Sequence, residues 1–320
     1  MTRDVLRRLR QYLLWPGLLC TALTITYFGI SSGYSFAAFN IAYIGLAVVL
    51  FIAERLWPYE RAWLKNDGQI GVDLAHTVLN KSVVQVVVAV GAAFGIAEIA
   101  TDRGLHQLWP THWWMPLQVV FALALVEAGL YAAHRLAHEW PLLWRFHAVH
   151  HSSTRLTFIN TGRFHLVDTV TSILLSQPIL FLAGAPIEIF KWVSATTAFI
   201  GMLTHCNVDL RFGWLNYVVN TPVLHRFHHS RDLVEGNKNY GENLMLFDLL
   251  FGTHYYRPYR PSSRIGVNEP MPTSFLGQLA HPFRGIVSGM RPLAPAAQTE
   301  REDAGRREAR ASSTGGPIGA

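Results

Sequence analysis

Cysteine is nearly absent. The two in 320 residues, Cys20 and Cys206, lie within one apolar run and just after another. That leaves no disulfide framework and no Cys-x-x-Cys metal or redox motif. Charge is scarce too: Asp, Glu, Lys and Arg make up 15% of the chain, too little for an ordinary soluble domain. No glycine-rich dinucleotide fingerprint is present, so the chain carries no built-in site of that kind. The 27 basic residues outnumber the 21 acidic ones for a net charge of +6, but they sit beside apolar runs rather than in a stripe. This argues against a nucleic-acid partner and for an anionic lipid surface.

Apolar residues are abundant, half of the sequence, and they come in blocks. Runs over 12–30, 36–52, 82–100 and 116–133 approach the roughly 20 residues that a helix needs to cross a bilayer core. Two shorter runs, 170–183 and 187–203, flank Gly184-Ala185-Pro186 and suit a re-entrant hairpin or helices buried among the others. Arg3, Arg7, Arg8 and Arg10 precede the first run, which is too long and lacks a small-residue cleavage site, so it is expected to be a retained helix. The distribution of Arg and Lys between runs places the segments after the second and fourth spans in the cytoplasm. The expected fold is all-α, a multi-pass helical membrane protein with transmembrane helices over 1–115, a histidine-rich domain over 116–258, an extension over 259–293 and a disordered tail over 294–320.

Histidine carries the chemistry. Residues 134–151 read HRLAHEWPLLWRFHAVHH, so His134 and His138 stand at i, i+4, and His147, His150 and His151 at i, i+3, i+4. His225, His228 and His229 repeat the second pattern. Such spacing puts the rings on one helical face. A lone pair at i, i+4 is usually a surface accident, but three clusters at helix spacing make a metal site. Neutral imidazole suits iron, copper, nickel and zinc alike, and eight rings are too many for one ion but suit two neighbours. His205 and His165 are further candidate ligands, the alternative for each being a hydrogen-bonding role beside a ligand. His106 and His112 fall on the opposite side, and His254 and His281 lack partners at helical spacing.

Other polar residues take supporting roles. Glu127 is a carboxylate inside an apolar run, a functional candidate by default. Glu127, Asp248 and Asn239 are the candidates to hydrogen-bond a ligand histidine or approach a substrate. Asp73 and His76 read as an interfacial polar pair, and Arg155, Arg163 and Lys238 as cations available to an anionic headgroup. Glu139-Trp140-Pro141 breaks the helix after the first histidine pair. Thr221-Pro222 starts the helix of the last cluster.

These residues resemble the fatty acid hydroxylase/sterol desaturase superfamily. The matching pieces are HxxxH at 134–138, HxxHH at 147–151, HxxHH at 225–229, the Thr-Pro before the last box, Asn-Tyr-Gly at 239–241, Phe-Gly-Thr at 251–253, Phe164-His165 and His205-x-Asn207. The resemblance covers roughly residues 126–258. It implies a non-haem site of two iron ions at the cytoplasmic side, with zinc a possible substitute. The implied reaction is O2-dependent hydroxylation or desaturation of an unactivated C–H bond in a lipid. Some members use an extra histidine where Gly201 stands here. The substrate classes implied include fatty acyl chains, sterols and ornithine lipids, with the ornithine-lipid kind favoured. No His-Pro-Gly-Gly haem motif is present, since residues 281–284 read HPFR, so electrons are expected from a separate ferredoxin or cytochrome/reductase partner. A bacterial inner-membrane location is expected from the compact length and the tail without a dilysine ending. The rival readings are a haem-binding or metal-handling membrane protein and a non-catalytic member stapled by zinc, which has no redox chemistry.

Overall fold

The structure is a computed structural model that describes residues 2–93 and 108–284. The expected tail and residues 94–100 of the third apolar run lie outside the described residues. Helices dominate, and among the described residues the only β pairing is three isolated bridges.

Helices α1 (Arg3–Ser31) and α2 (Ser35–Leu56) form an antiparallel hairpin. Gly33 makes its turn with φ +81°, a backbone region where a side chain is costly. The helices meet closely beyond the turn: a Cβ on Gly29 would lie 2.0 Å from the Cβ of Ala38. Ala38, Ala42, Leu46 and Leu50 of α2 are buried, whereas Ile41, Ile44, Val48 and Ile52 are exposed. One face therefore packs inward and the other presents branched aliphatics outward, as a lipid-facing helix does.

Helix α3 (Ile70–Ala93) follows, then α4 (Met115–Glu139). Among the described residues α1, α2 and α4 are long and apolar enough to cross a membrane. Trp140 takes an extended conformation before Pro141, so α4 stops and α5 (Pro141–His151) starts in a new direction, as the sequence predicts. The short apolar pair resolves into α6 (Leu166–Ser176), α7 (Pro178–Leu182) and α8 (Ile187–His205), with Pro178 separating the first two. Thr221 caps α9 (Pro222–His228) by accepting from Leu224 N–H.

Helix α8 is the hub. On one side Phe199, Met202 and Leu203 join Trp15, Leu46 and Leu50 of the hairpin in one apolar core. On the other, Ile189 and Val193 join Leu123, Val126 and Leu130 of α4. Helix α4 also meets α6 at contact distance, because a Cβ on Gly129 would lie 2.1 Å from the Leu175 carbonyl oxygen.

Towards the end of the described residues come α10 (Leu246–Phe251) and α11 (Phe275–Ala280). The buried Gln278 pins α11 down, donating to Pro272 O and Gln69 Oε1 while its Oε1 faces His76 Nε2 at 3.0 Å. This cover explains a departure from expectation. Asp73 and His76 are buried, not interfacial. Asp73 pairs with Arg163 at 2.8 Å, and His76 donates from Nδ1 to Phe164 O. Arg163 is accordingly no headgroup cation, and neither is Arg155, which pairs with Asp67 at 2.7 Å.

Candidate metal centre

Nine histidines from α4, α5, α8, α9 and the residue after α9 converge in the interior. His134, His138, His147, His151 and His228 form one group, and His150, His205, His225 and His229 the other. Each residue offers one nitrogen, all are buried, and within a group these atoms lie within 4.8 Å of one another. The HxxHH spacing splits its rings between the groups. His147 and His151 face the first while His150 faces the second, and His228 and His229 divide likewise. The groups share a wall, with the His151 and His229 rings stacked 4.3 Å apart.

Hydrogen bonds set which nitrogen faces inward. His134 Nδ1 donates to Tyr240 O at 2.8 Å, His228 Nδ1 to Lys238 O at 2.8 Å and His150 Nδ1 to Arg163 O at 3.3 Å. His138 Nδ1 donates to Asn237 Oδ1 at 3.2 Å and His205 Nδ1 to Asn160 Oδ1 at 3.3 Å. The Asn160 orientation is fixed independently, since its Nδ2 donates to Ser153 Oγ and Arg155 O. His147 Nδ1 lies 2.9 Å from Asp168 Oδ2. A proton on Nδ1 leaves Nε2 as a lone-pair donor.

The Nε2 atoms of the two groups crowd together. His138 and His228 each bring Nε2 to 3.1 Å from His151 Nε2. His225 Nε2 lies 2.8 Å from that of His205 and 3.0 Å from that of His229, which lies 3.1 Å from that of His150. His134 Nε2 and His147 Nε2 are buried with no protein partner. Orphaned buried polar atoms are rare, and a cation within each group would engage these nitrogens together. The donor set therefore fits two metal ions, one per group. Burial, reinforced by the neighbouring imidazoles, pushes His150, His151, His225, His228 and His229 well below the ordinary histidine range. They stay neutral at pH 7, as metal ligands must.

Aromatic rings and the 237–245 segment enclose the groups. Phe164 stacks on His150 at 4.1 Å and 8°, and Trp144 lies 5.2 Å from His138 and 5.4 Å from His151. Glu127 does not reach a ring. Its Oε1 accepts from Glu242 N–H at 2.6 Å and its Oε2 from Asn243 N–H at 2.9 Å. Asp248 likewise touches no ring, but accepts from Tyr240 N–H, Gly241 N–H and Thr253 Oγ1. Both carboxylates anchor the turn whose Tyr240 carbonyl holds His134. Asn239, at φ +58°, braces the chain against Leu224 O and Tyr255.

His165 departs from expectation. It lies outside both groups: its Nδ1 accepts from Val167 N–H and its Nε2 donates to Leu279 O, each at 3.1 Å. It caps α6 and ties down the C-terminal segment. His254 donates from Nε2 to Asn216 O, away from the groups, and His106 lies outside the described residues. Sequence reasoning missed Asp168, Asn160 and Asn237. Asp168 sits three residues beyond Phe164-His165, where a carboxylate near a histidine motif was the available signal.

The fold and site define a helical membrane protein with two adjoining polyhistidine groups, each of which could hold a metal ion. The fatty acid hydroxylase family model matches residues 119–253, which contain all nine histidines. Ornithine lipid hydroxylase OlsE of Rhizobium tropici is 50% identical over 277 residues, covering 85% of this chain and 83% of the relative. Alkylglycerol monooxygenase of Danio rerio is 26% identical over 245 residues, 72% of this chain and 51% of the relative. The human alkylglycerol monooxygenase is 30% identical over 149 residues, 46% of this chain and 33% of the relative. No solved structure matches. The chain belongs to the fatty acid hydroxylase/sterol desaturase superfamily.

Proposed function

We propose that this protein is an O2-dependent hydroxylase of a polar membrane lipid of the ornithine-lipid kind, working through two iron ions held by the nine clustered histidines. The carrying observation is the pair of adjoining groups of buried imidazole nitrogens in a chain half identical to an ornithine lipid hydroxylase. The reaction takes a C–H bond, one O2, two electrons and two protons to an alcohol and water. Iron, when bound, supplies the redox chemistry that reduces O2 and delivers one oxygen atom to carbon.

The residues of the chain perform the rest. Neutral imidazoles present lone pairs, and Nδ1 partners hold six of the nine rings in their tautomer and direction. Phe164, Trp144 and Tyr240, with ring centroids 4.1–5.2 Å from the nearest histidine ring, restrict water around the site. Glu127 and Asp248 keep the turn over His134 rigid. The electrons come from a separate ferredoxin or cytochrome/reductase, and the site faces the cytoplasm of a bacterial inner membrane. Support for that side is the concentration of arginine and lysine in the segments after α2 and α4.

The test is mass spectrometry of lipid extracts from cells expressing the wild type or His150→Ala, in a host that makes ornithine lipids and a suitable reductase. The expected result is an ornithine lipid that gains one oxygen only with the wild type. A loss of two hydrogens would make the protein a desaturase, and unchanged lipids would overturn the assignment.

A further inference from the structure

Six of the nine rings donate from Nδ1 to a protein oxygen, and five of those oxygens belong to neutral amides, three in the backbone and two in asparagine side chains. The sixth is a carboxylate. Asp168 Oδ2 lies 2.9 Å from His147 Nδ1, with side-chain exposures of 10% and 3%. No other carboxylate among the described residues hydrogen-bonds a ring of either group. In the four-histidine group, His225 Nδ1 and His229 Nδ1 are buried with no partner at all.

We infer that Asp168 is a positioning residue that makes the two ion sites unequal, so that the five-histidine group binds its ion more tightly than the four-histidine group. A carboxylate accepting an Nδ1–H draws the proton toward itself and leaves negative charge on the ring. The opposite nitrogen becomes a stronger donor to a cation. Near-exclusion of water keeps this polarisation from being screened. The geometry is held from several directions. Asp168 stands in the first turn of α6, His165 caps that helix, and the α4–α6 contact at Gly129 and Leu175 fixes where it lies. The first group thus has five donors, one backed by an anion, and the second has four, none so backed.

This inference rests on the two-ion reading of the site. The test titrates metal-free protein in detergent with Zn2+ against a competing chelator, a readout independent of turnover. The wild type should bind two ions in two steps. Asp168→Asn, which keeps an acceptor and loses the charge, should weaken the tighter step about 10- to 100-fold and leave the other unchanged. Asp168→Glu should restore it. The tighter step should vanish in His134→Ala and survive in His225→Ala, which assigns the steps without any change at Asp168. Equal weakening of both steps in Asp168→Asn, no weakening, or loss of the tighter step in His225→Ala would each overturn the inference. A wild type that binds fewer than two ions would instead defeat the two-ion reading itself.

Discussion

Arg163 joins the interior at both of its ends. Its guanidinium donates to Asp73 at 2.8 Å and to Ser152 Oγ, and its carbonyl accepts from His150 Nδ1. Both partners of the ion pair are almost wholly buried. Removing one strands a buried charge, which costs about 3–5 kcal/mol. Arg163→Met should therefore lower the melting temperature strongly in detergent, and it should weaken the ion at His150 more than the ion at His134, as a metal titration would reveal. Glu242 makes a second residue-level prediction. Burial, with the carboxylates of Glu127 and Asp168 nearby, pushes it up to about 8. An unfolded chain ionises this side chain near pH 4.5, whereas the folded one keeps the proton until about pH 8. Over that window the unfolded state binds fewer protons, so this group makes stability fall as pH rises. Glu242→Gln should flatten that fall, measured as the difference in melting temperature between pH 5 and pH 8.

The clustered histidines were legible at this scale because helical spacing repeats in plain view at 147–151 and 225–229. Their partners were not. Tyr240, Arg163 and Lys238 contribute backbone carbonyls, which every residue possesses, so no residue type advertises the role. Glu127 and Asp248 stood out as carboxylates near histidines, yet each acts on the 240–243 backbone rather than on a ring. His165 carries the same imidazole as the clustered histidines, and only its neighbours on α6 and α11 reveal its different use.

Between elements, close approach does the positioning. The contact of α4 with α6 at Gly129 leaves no room for even one methyl group. Gly129→Ala must push the helices apart, at a cost of about 1–3 kcal/mol by analogy with overpacked cores. It should also loosen Asp168 from His147. A lower melting temperature together with a weaker tight-binding metal step would show both effects, and a melting loss alone would show that the helices separate without moving the carboxylate. The apolar runs at 12–30, 36–52 and 116–133 were readable from length and hydropathy, and each falls within a described helix. The break at Pro178 and the burial of Asp73 and His76 were harder to foresee. The first depends on one proline within an apolar run, and the second on residues 158–165 and 275–283 folding over α3 from far along the chain.

Across the whole molecule, the histidines tie α4, α5, α8 and α9 at one point. Ions that bind the folded state alone stabilise it by mass action. Stripping them with a chelator should lower the melting temperature and increase protease sensitivity in residues 205–245. Reloading with Fe2+ under anaerobic conditions should reverse both. If the melting temperature is unchanged, the metals contribute nothing to holding the helices together.

The convergence on α9 also orders events during synthesis. Four histidines of the first group and two of the second precede residue 221, and His225, His228 and His229 supply the remainder. A nascent chain therefore carries four of the five histidines of one group and two of the four of the other until residues 225–229 are made. The first group is complete only once His228 has been made and the second only once His229 has, so a chain arrested before residue 225 lacks nitrogens from both.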